Sequence, residues 1–133
     1  MTIKAASITL ITPSLKETRK FYEELFQASA IFDCGWYVVL RLSNEDNGPE
    51  LCLMQPQNDA TTFSGGITIN LKFDNVDHIH TSITQAGLVP VIPLEDHPWG
   101  DRGFGITDPA GATVYCYHPI EPSTEFERYF IDR

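Results

Sequence analysis

Short apolar runs of period two alternate along this chain with stretches of helical period, and the same order occurs twice. Residues 6–12 read as a strand, with Ile8 and Leu10 set against Ser7 and Thr9. Pro13 stops it. Ser14 opens a helix, and Glu17 three residues on completes a capping-box pattern. Leu15, Thr18, Tyr22, Leu25 and Phe26 fall on one stripe of that helix. Residues 29–33 and 36–43 read as strands broken at Cys34-Gly35, and the polar turn 44–49 leads to another strand at 50–55.

After a polar linker at 57–66 the order begins again. Residues 67–73 alternate, with Ile67, Ile69, Leu71 and Phe73 on one side. Asn75 caps a helix running to about residue 86, striped by Val76, Ile79, Ile83 and Ala86, and Gly87 takes the C′ position. Residues 88–94 form a strand interrupted by proline, which predicts a sheet edge. Residues 102–107 and 112–118 form a hairpin about Asp108-Pro109-Ala110-Gly111, with Asp, Pro and Gly at type I turn positions i, i+1 and i+3. The tail 119–133 holds one short helix near 125–131.

The two passes are offset by 61 residues: Ile8 matches Ile69, Leu10 matches Leu71, Ser14 matches Asn75, Leu15 matches Val76 and Tyr22 matches Ile83. Five matches on core positions and a cap define an internal repeat. The expected organisation is one domain over 1–133, with a first βαβββ module at about 5–56, the linker 57–66, a second module at about 67–118 and the tail 119–133.

Composition adds limits. The 133 residues are 42% hydrophobic, with 8 Phe, 5 Tyr and 2 Trp, enough for a core. Nine basic against 18 acidic residues give a net charge of −9. That balance argues against nucleic acid or an anionic membrane as partner and suits a cationic ligand or simply a solvated surface. The longest clean apolar run, 36–40, ends at Arg41 and is far short of a membrane span. No secretory signal is visible. Cys34, Cys52 and Cys116 are odd in number and form no CxxC, as in a cytoplasmic protein with free thiols.

The strand faces away from the helices are polar or aromatic. Ser7 and Thr9 lie there in the first module, and Thr68, Asn70 and Lys72 in the second. Glu50, Cys52 and Met54 share one face of their strand, and Thr113, Tyr115 and Tyr117 one face of the last. These faces either line a cleft or meet solvent. A solvent-facing sheet normally carries more charge and fewer Tyr, Met and Cys.

Paired βαβββ modules resemble the vicinal oxygen chelate superfamily, which holds glyoxalase, extradiol dioxygenases and the fosfomycin- and bleomycin-resistance proteins. The resemblance runs to about His118. Residues 14–26, with the Phe21-Tyr22 pair and Leu25, look like its first helix. Pro98-Trp99-Gly100-Asp101-Arg102-Gly103-Phe104, followed by Asp108-Pro109-Ala110-Gly111, is closest to the bleomycin-resistance branch. The resemblance implies an α+β fold in which the two βαβββ modules form an incomplete barrel with a cleft, and a homodimer whose subunits share grooves.

Enzymes of the superfamily place a divalent cation on the cleft strands. Mapped by motif, those positions fall on Ser7, Thr68, Tyr115 and Glu50. Only Glu50 offers a carboxylate, and hydroxyls are poor ligands for zinc, iron or manganese. His78 and His80 lie two apart on the predicted helix and cannot chelate together. His97 falls in the loop before Pro98, and His118 ends the last strand. All four histidines read as surface or loop residues, with a proton-transfer role for His97 as the alternative. No nucleophile triad and no phosphate loop is evident.

The resemblance puts Trp99 at a drug groove and Trp36 at a groove aromatic, although Trp36 equally suits packing or a dimer contact. Phe104, Tyr115 and Tyr117 are wall residues or core. Arg102 is expected to pair with Asp101 or Glu95 on the surface. The expectation is metal-free binding of a small planar or cationic molecule, by sequestration of the bleomycin-resistance type, at Trp99, Trp36, Glu50, Tyr115, Tyr117, Phe104, Thr68 and Ser7. The alternative is a metal-dependent glyoxalase-like lyase or dioxygenase using Glu50 with zinc, nickel, iron or manganese. A non-catalytic partner or sensor domain is a third reading.

Overall fold

The computed structural model describes residues 1–58 and 61–132, so Asp59 and Ala60 of the expected linker and Arg133 of the tail lie outside the described residues. The elements follow the sequence in the order β1 (Ile8–Ile11), α1 (Leu15–Phe26), β2 (Ser29–Asp33), β3 (Tyr37–Arg41), β4 (Glu50–Met54), β5 (Thr68–Lys72), α2 (Val76–Gln85), β6 (Ile92–His97), β7 (Asp101–Thr107), β8 (Thr113–Pro119) and α3 (Thr124–Glu127). They make two open four-stranded mixed sheets, β1-β4-β3-β2 and β5-β8-β7-β6, in an α+β fold. In each sheet the first strand runs parallel to the fourth, and the other pairs are antiparallel. A parallel neighbour needs a crossover, and α1 and α2 lie on those crossovers.

The chain divides into two compact units, residues 1–65 with 108–111, and residues 66–107 with 112–133. In the first unit Leu10, Val38, Leu40, Leu51 and Leu53 of the sheet and Leu15 and Tyr22 of α1 are buried. Thr18 is buried too, its hydroxyl donating 2.7 Å to the Ser14 carbonyl. The expected capping box does not form. Ser14 makes no side-chain cap, and instead its own N–H donates 3.0 Å to Thr12 Oγ1. An acceptor just upstream has taken the place of the box. The helix ends at Gln27 in the left-handed region, φ 59°.

In the second unit Val76 and Ile83 of α2 pack over Phe104, Ile106, Val114 and Cys116. Ala86, expected in the stripe, is exposed at the cap, and His80 takes its place by setting its ring edge-on to Phe104 at 5.0 Å. Asn75 caps α2 as expected, its side chain accepting from Asp77 N–H. A second acceptor completes that start, since Val76 N–H donates 3.0 Å to His118 Nδ1.

The proline-interrupted strand does lie at a sheet edge, but it starts four residues later than expected and ends at His97. Pro93 falls where the register between β6 and β7 shifts, so its missing N–H breaks no ladder bond there. His97 is therefore a strand residue and not a loop residue. The tail helix is shorter and earlier than expected, and the tail returns to the β6–β7 turn: Ile120 N–H donates to Gly100 C=O and Ser123 N–H to Pro98 C=O.

Candidate functional site

The face of the second sheet opposite α2 is built by pairing. Register aligns Thr68 with Thr113, Asn70 with Tyr115 and Lys72 with Tyr117 across β5 and β8. Across β7 and β8 it sets Gly105 opposite Tyr115 and Gly103 opposite Tyr117. Tyr115 and Tyr117 are half-buried and stacked, with centroids 6.0 Å apart at 20°. Gly103 leaves room for Tyr115 to lie diagonally over β7, because a Cβ there would come within 2.5 Å of the Tyr115 hydroxyl.

That diagonal brings four side chains together. The Tyr115 hydroxyl donates 2.7 Å to Asp101 Oδ1, and His97 Nδ1 lies 2.7 Å from the same oxygen. Trp99 Nε1–H donates 2.9 Å to Asp101 Oδ2. The Trp99 indole stacks on the His97 imidazole, centroids 4.4 Å apart at 2°. His97 and Asp101 face each other because they are register partners closing the β6–β7 turn. Trp99 stands within that turn, where Gly100 at φ 112° accepts a conformation an L side chain rarely adopts. Phe126 meets the indole edge at 6.5 Å. Even so, Trp99 stays 49% exposed. Burial, ahead of the Asp101 hydrogen bond, pushes the Tyr115 phenol well above its ordinary range, so it stays protonated and donates.

The remaining predicted site residues divide as follows. Phe104 does not line this face: it is 0% exposed and packs under α2 against His80. Alternation decides this, since Phe104 points opposite to Gly103 and Gly105. Arg102 pairs with neither Asp101 nor Glu95. It donates 2.8 Å to Asp77 and 3.0 Å to Asp96 on the helix side, which holds the Asp77 carboxyl below its usual range. Thr68 is exposed on the open face. In the first unit Ser7 and Glu50 line a cavity of about 530 Å³ with Lys4, Asn47 and Gly48. Sequence reading missed the part of Lys4 and Asn47 there, for want of any periodic signal. Trp36, in the β2–β3 turn, is 49% exposed and sets its ring edge-on to Tyr37 at 6.0 Å. Nearby, the Tyr37 hydroxyl lies 3.2 Å from Thr9 Oγ1.

Register also separates two positions that the sequence treated alike. Thr9 pairs with Cys52, and its repeat mate Asn70 pairs with Tyr115. The counterpart of Tyr115 is thus Cys52, and that of Glu50 is Thr113. Among the described residues no three His, Cys, Asp or Glu side chains converge as a metal site. The Tyr115 hydroxyl is moreover committed to Asp101. This donor set does not fit a catalytic divalent ion.

Residues 4–115 match the family model described as Glyoxalase/Bleomycin resistance protein/Dioxygenase superfamily. The chain belongs to this superfamily. Solved structures agree on the fold. A lactoylglutathione lyase from Agrobacterium tumefaciens is 20% identical, with a TM-score of 0.70 over 86% of this chain and 92% of that one. A virulence protein from Salmonella typhimurium is 18% identical, with a TM-score of 0.72 over 90% and 99%. A superfamily member from Sphaerobacter thermophilus is 21% identical, with a TM-score of 0.68 over 87% and 99%. No curated protein matches. Among the described residues no helix is long and apolar enough to cross a membrane.

Proposed function

We propose that this superfamily member binds a small planar or cationic molecule without a metal, by sequestration of the bleomycin-resistance type. The observation that carries this reading is Trp99, a half-exposed indole fixed on a tight turn by its hydrogen bond to Asp101 and its stack on His97. A fixed aromatic surface loses little entropy on stacking a flat guest, and stacking or cation–π contact contributes about 0.5–2 kcal/mol. The net charge of −9 favours a cationic guest at long range. Tyr115, Tyr117 and Thr68 are the neighbours proposed to complete the contact, and Trp36, Ser7 and Glu50 a second set on the first unit. The functional form proposed is a homodimer, since each sheet ends in unpaired edges. Its three free cysteines suit the reducing cytoplasm.

Calorimetric titration with bleomycin and with ethidium tests the reading. Micromolar binding is expected, weakened about 3- to 30-fold by Trp99→Ala. If neither probe binds, or if Trp99→Ala binds both as well as the wild type, the reading is lost. Zinc, nickel, iron or manganese bound at near one equivalent, with a gain in thermal stability on adding it, would count for the metal-dependent alternative instead.

A further inference from the structure

The surroundings of His97 fix its tautomer. A bare Nδ1 lone pair facing a carboxylate oxygen at 2.7 Å would be repelled, so Nδ1 carries the proton and donates it to Asp101. Tyr115 donates to the same oxygen, which makes its 3.1 Å approach to Nδ1 the third side of a triangle and not a bond. Nε2 is left as the basic nitrogen. It has no protein partner among the described residues. Nor is it fully sealed: the His97 side chain keeps 12% exposure, and the one fully buried side-chain nitrogen or oxygen lacking a partner among those residues is Arg41 Nε.

A carboxylate-held imidazole with an open Nε2, stacked on an exposed indole, is more than a binding platform needs. We propose that His97 is a general base whose Nε2 takes an acidic C–H or O–H hydrogen from a planar molecule held against Trp99, with Asp101 as its positioning residue. The proposal rests on the reading of Trp99 as the ligand platform and adds a proton transfer to it. The bonding pair stays with the ligand and the proton moves to Nε2. The imidazolium so formed stands against the Asp101 carboxylate, with Glu95 on the same face of β6. The proton then leaves to product or water. No redox partner is required.

One test needs no ligand. Long-range proton–nitrogen correlation spectra of the folded protein are expected to give His97 as the Nδ1–H tautomer. Asp101→Asn, whose amide can donate to Nδ1, is expected to turn it to Nε2–H. An Nε2–H ring in the wild type overturns the proposal. The second test uses 5-nitrobenzisoxazole, a planar uncharged heteroaromatic. Removal of its C3 hydrogen by a base turns the C–H pair into the nitrile, breaks the N–O bond and releases a coloured phenolate. The wild type is expected to open it about 100-fold or more faster than an equal concentration of free imidazole. His97→Gln is expected to return the rate to that background, and Asp101→Asn to lower kcat more than it raises KM. A wild-type rate no better than imidazole, or an undiminished rate in His97→Gln, overturns the proposal. Because the probe carries no charge and the tautomer is read without it, failure of cation binding in the calorimeter leaves both readouts intact.

Discussion

Asp101 accepts three donors of different kinds, a phenol, an indole and an imidazole, so its single carboxylate sets the orientation of all three rings. Asp108 does comparable work in the first unit. The sequence marked it as a turn residue, and its Oδ1 does accept from Ala110 N–H, as an Asx turn requires. Its Oδ2, however, is buried and accepts 2.6 Å from the Tyr22 hydroxyl on α1. Tyr22→Phe removes a donor to a buried carboxylate, and urea unfolding is expected to show a loss of about 1.5–3 kcal/mol. A change below about 0.5 kcal/mol would mean that Tyr22 acts there through its ring alone. The thiols differ for similar reasons. Burial pushes Cys116 up to about 12, while Cys34 is exposed. Iodoacetamide at pH 8 is expected to alkylate Cys34 and spare Cys116 in the folded protein, as peptide mapping would read. The unfolded Cys116 thiol ionises near 9 and the folded one near 12. Between those values the unfolded chain holds fewer protons, so stability falls as pH rises, and Cys116→Ala is expected to flatten part of that decline.

Among the elements, β7 does most to shape the site. Its two faces have opposite characters: Phe104 and Ile106 fill the core under α2, while on the other face Gly103 leaves room for Tyr115 to cross and Gly105 for the Ile92 side chain. Gly103→Ala would put a Cβ 2.5 Å from Tyr115 Oη and 2.8 Å from the Cys116 carbonyl, and the second of these is backbone that cannot step aside. The expected outcome is a loss of about 1–3 kcal/mol in thermal unfolding, with Tyr115 displaced from Asp101. Its companion measurement is Trp99 fluorescence, which should change as the carboxylate loses a donor. A variant of wild-type stability and spectrum would mean that the close approach to Tyr115 does not hold. Helix α2 shows a different division of labour. Asn75 announces its start in the sequence, whereas the His118 acceptor comes from 42 residues away and could be found only in the fold.

For the molecule as a whole, each of the two units carries an open sheet, and each sheet has two edge strands, β1 and β2 or β5 and β6. Open edges invite pairing with another chain. Sedimentation equilibrium at micromolar concentration is expected to return twice the chain mass, and a species of single chain mass would remove the homodimer from the proposal. The internal repeat explains why so much of the architecture was legible. A 61-residue offset in apolar positions of the first strand and helix marks two βαβββ modules before any coordinate is known.

The sequence by itself determined the element order, both amphipathic helices, the edge position of the proline-interrupted strand and the superfamily, because each depends on local periodicity or contiguous motif. It named Trp99 and Tyr115, yet it could not connect them. His97 read as a loop residue, and Asp101 entered only as a surface partner for Arg102. What joins the four is the pairing of β6 with β7 and β7 with β8, a register that places residues 14 to 18 apart on one carboxylate. Alternation likewise sent Phe104 into the core and Arg102 to the helix side, against expectation. Which side chains share a face is a local property of a strand, but which strands lie side by side is settled only when long-range hydrogen bonds close the sheet. Only the tertiary structure, therefore, could turn scattered aromatic and acidic residues into a site.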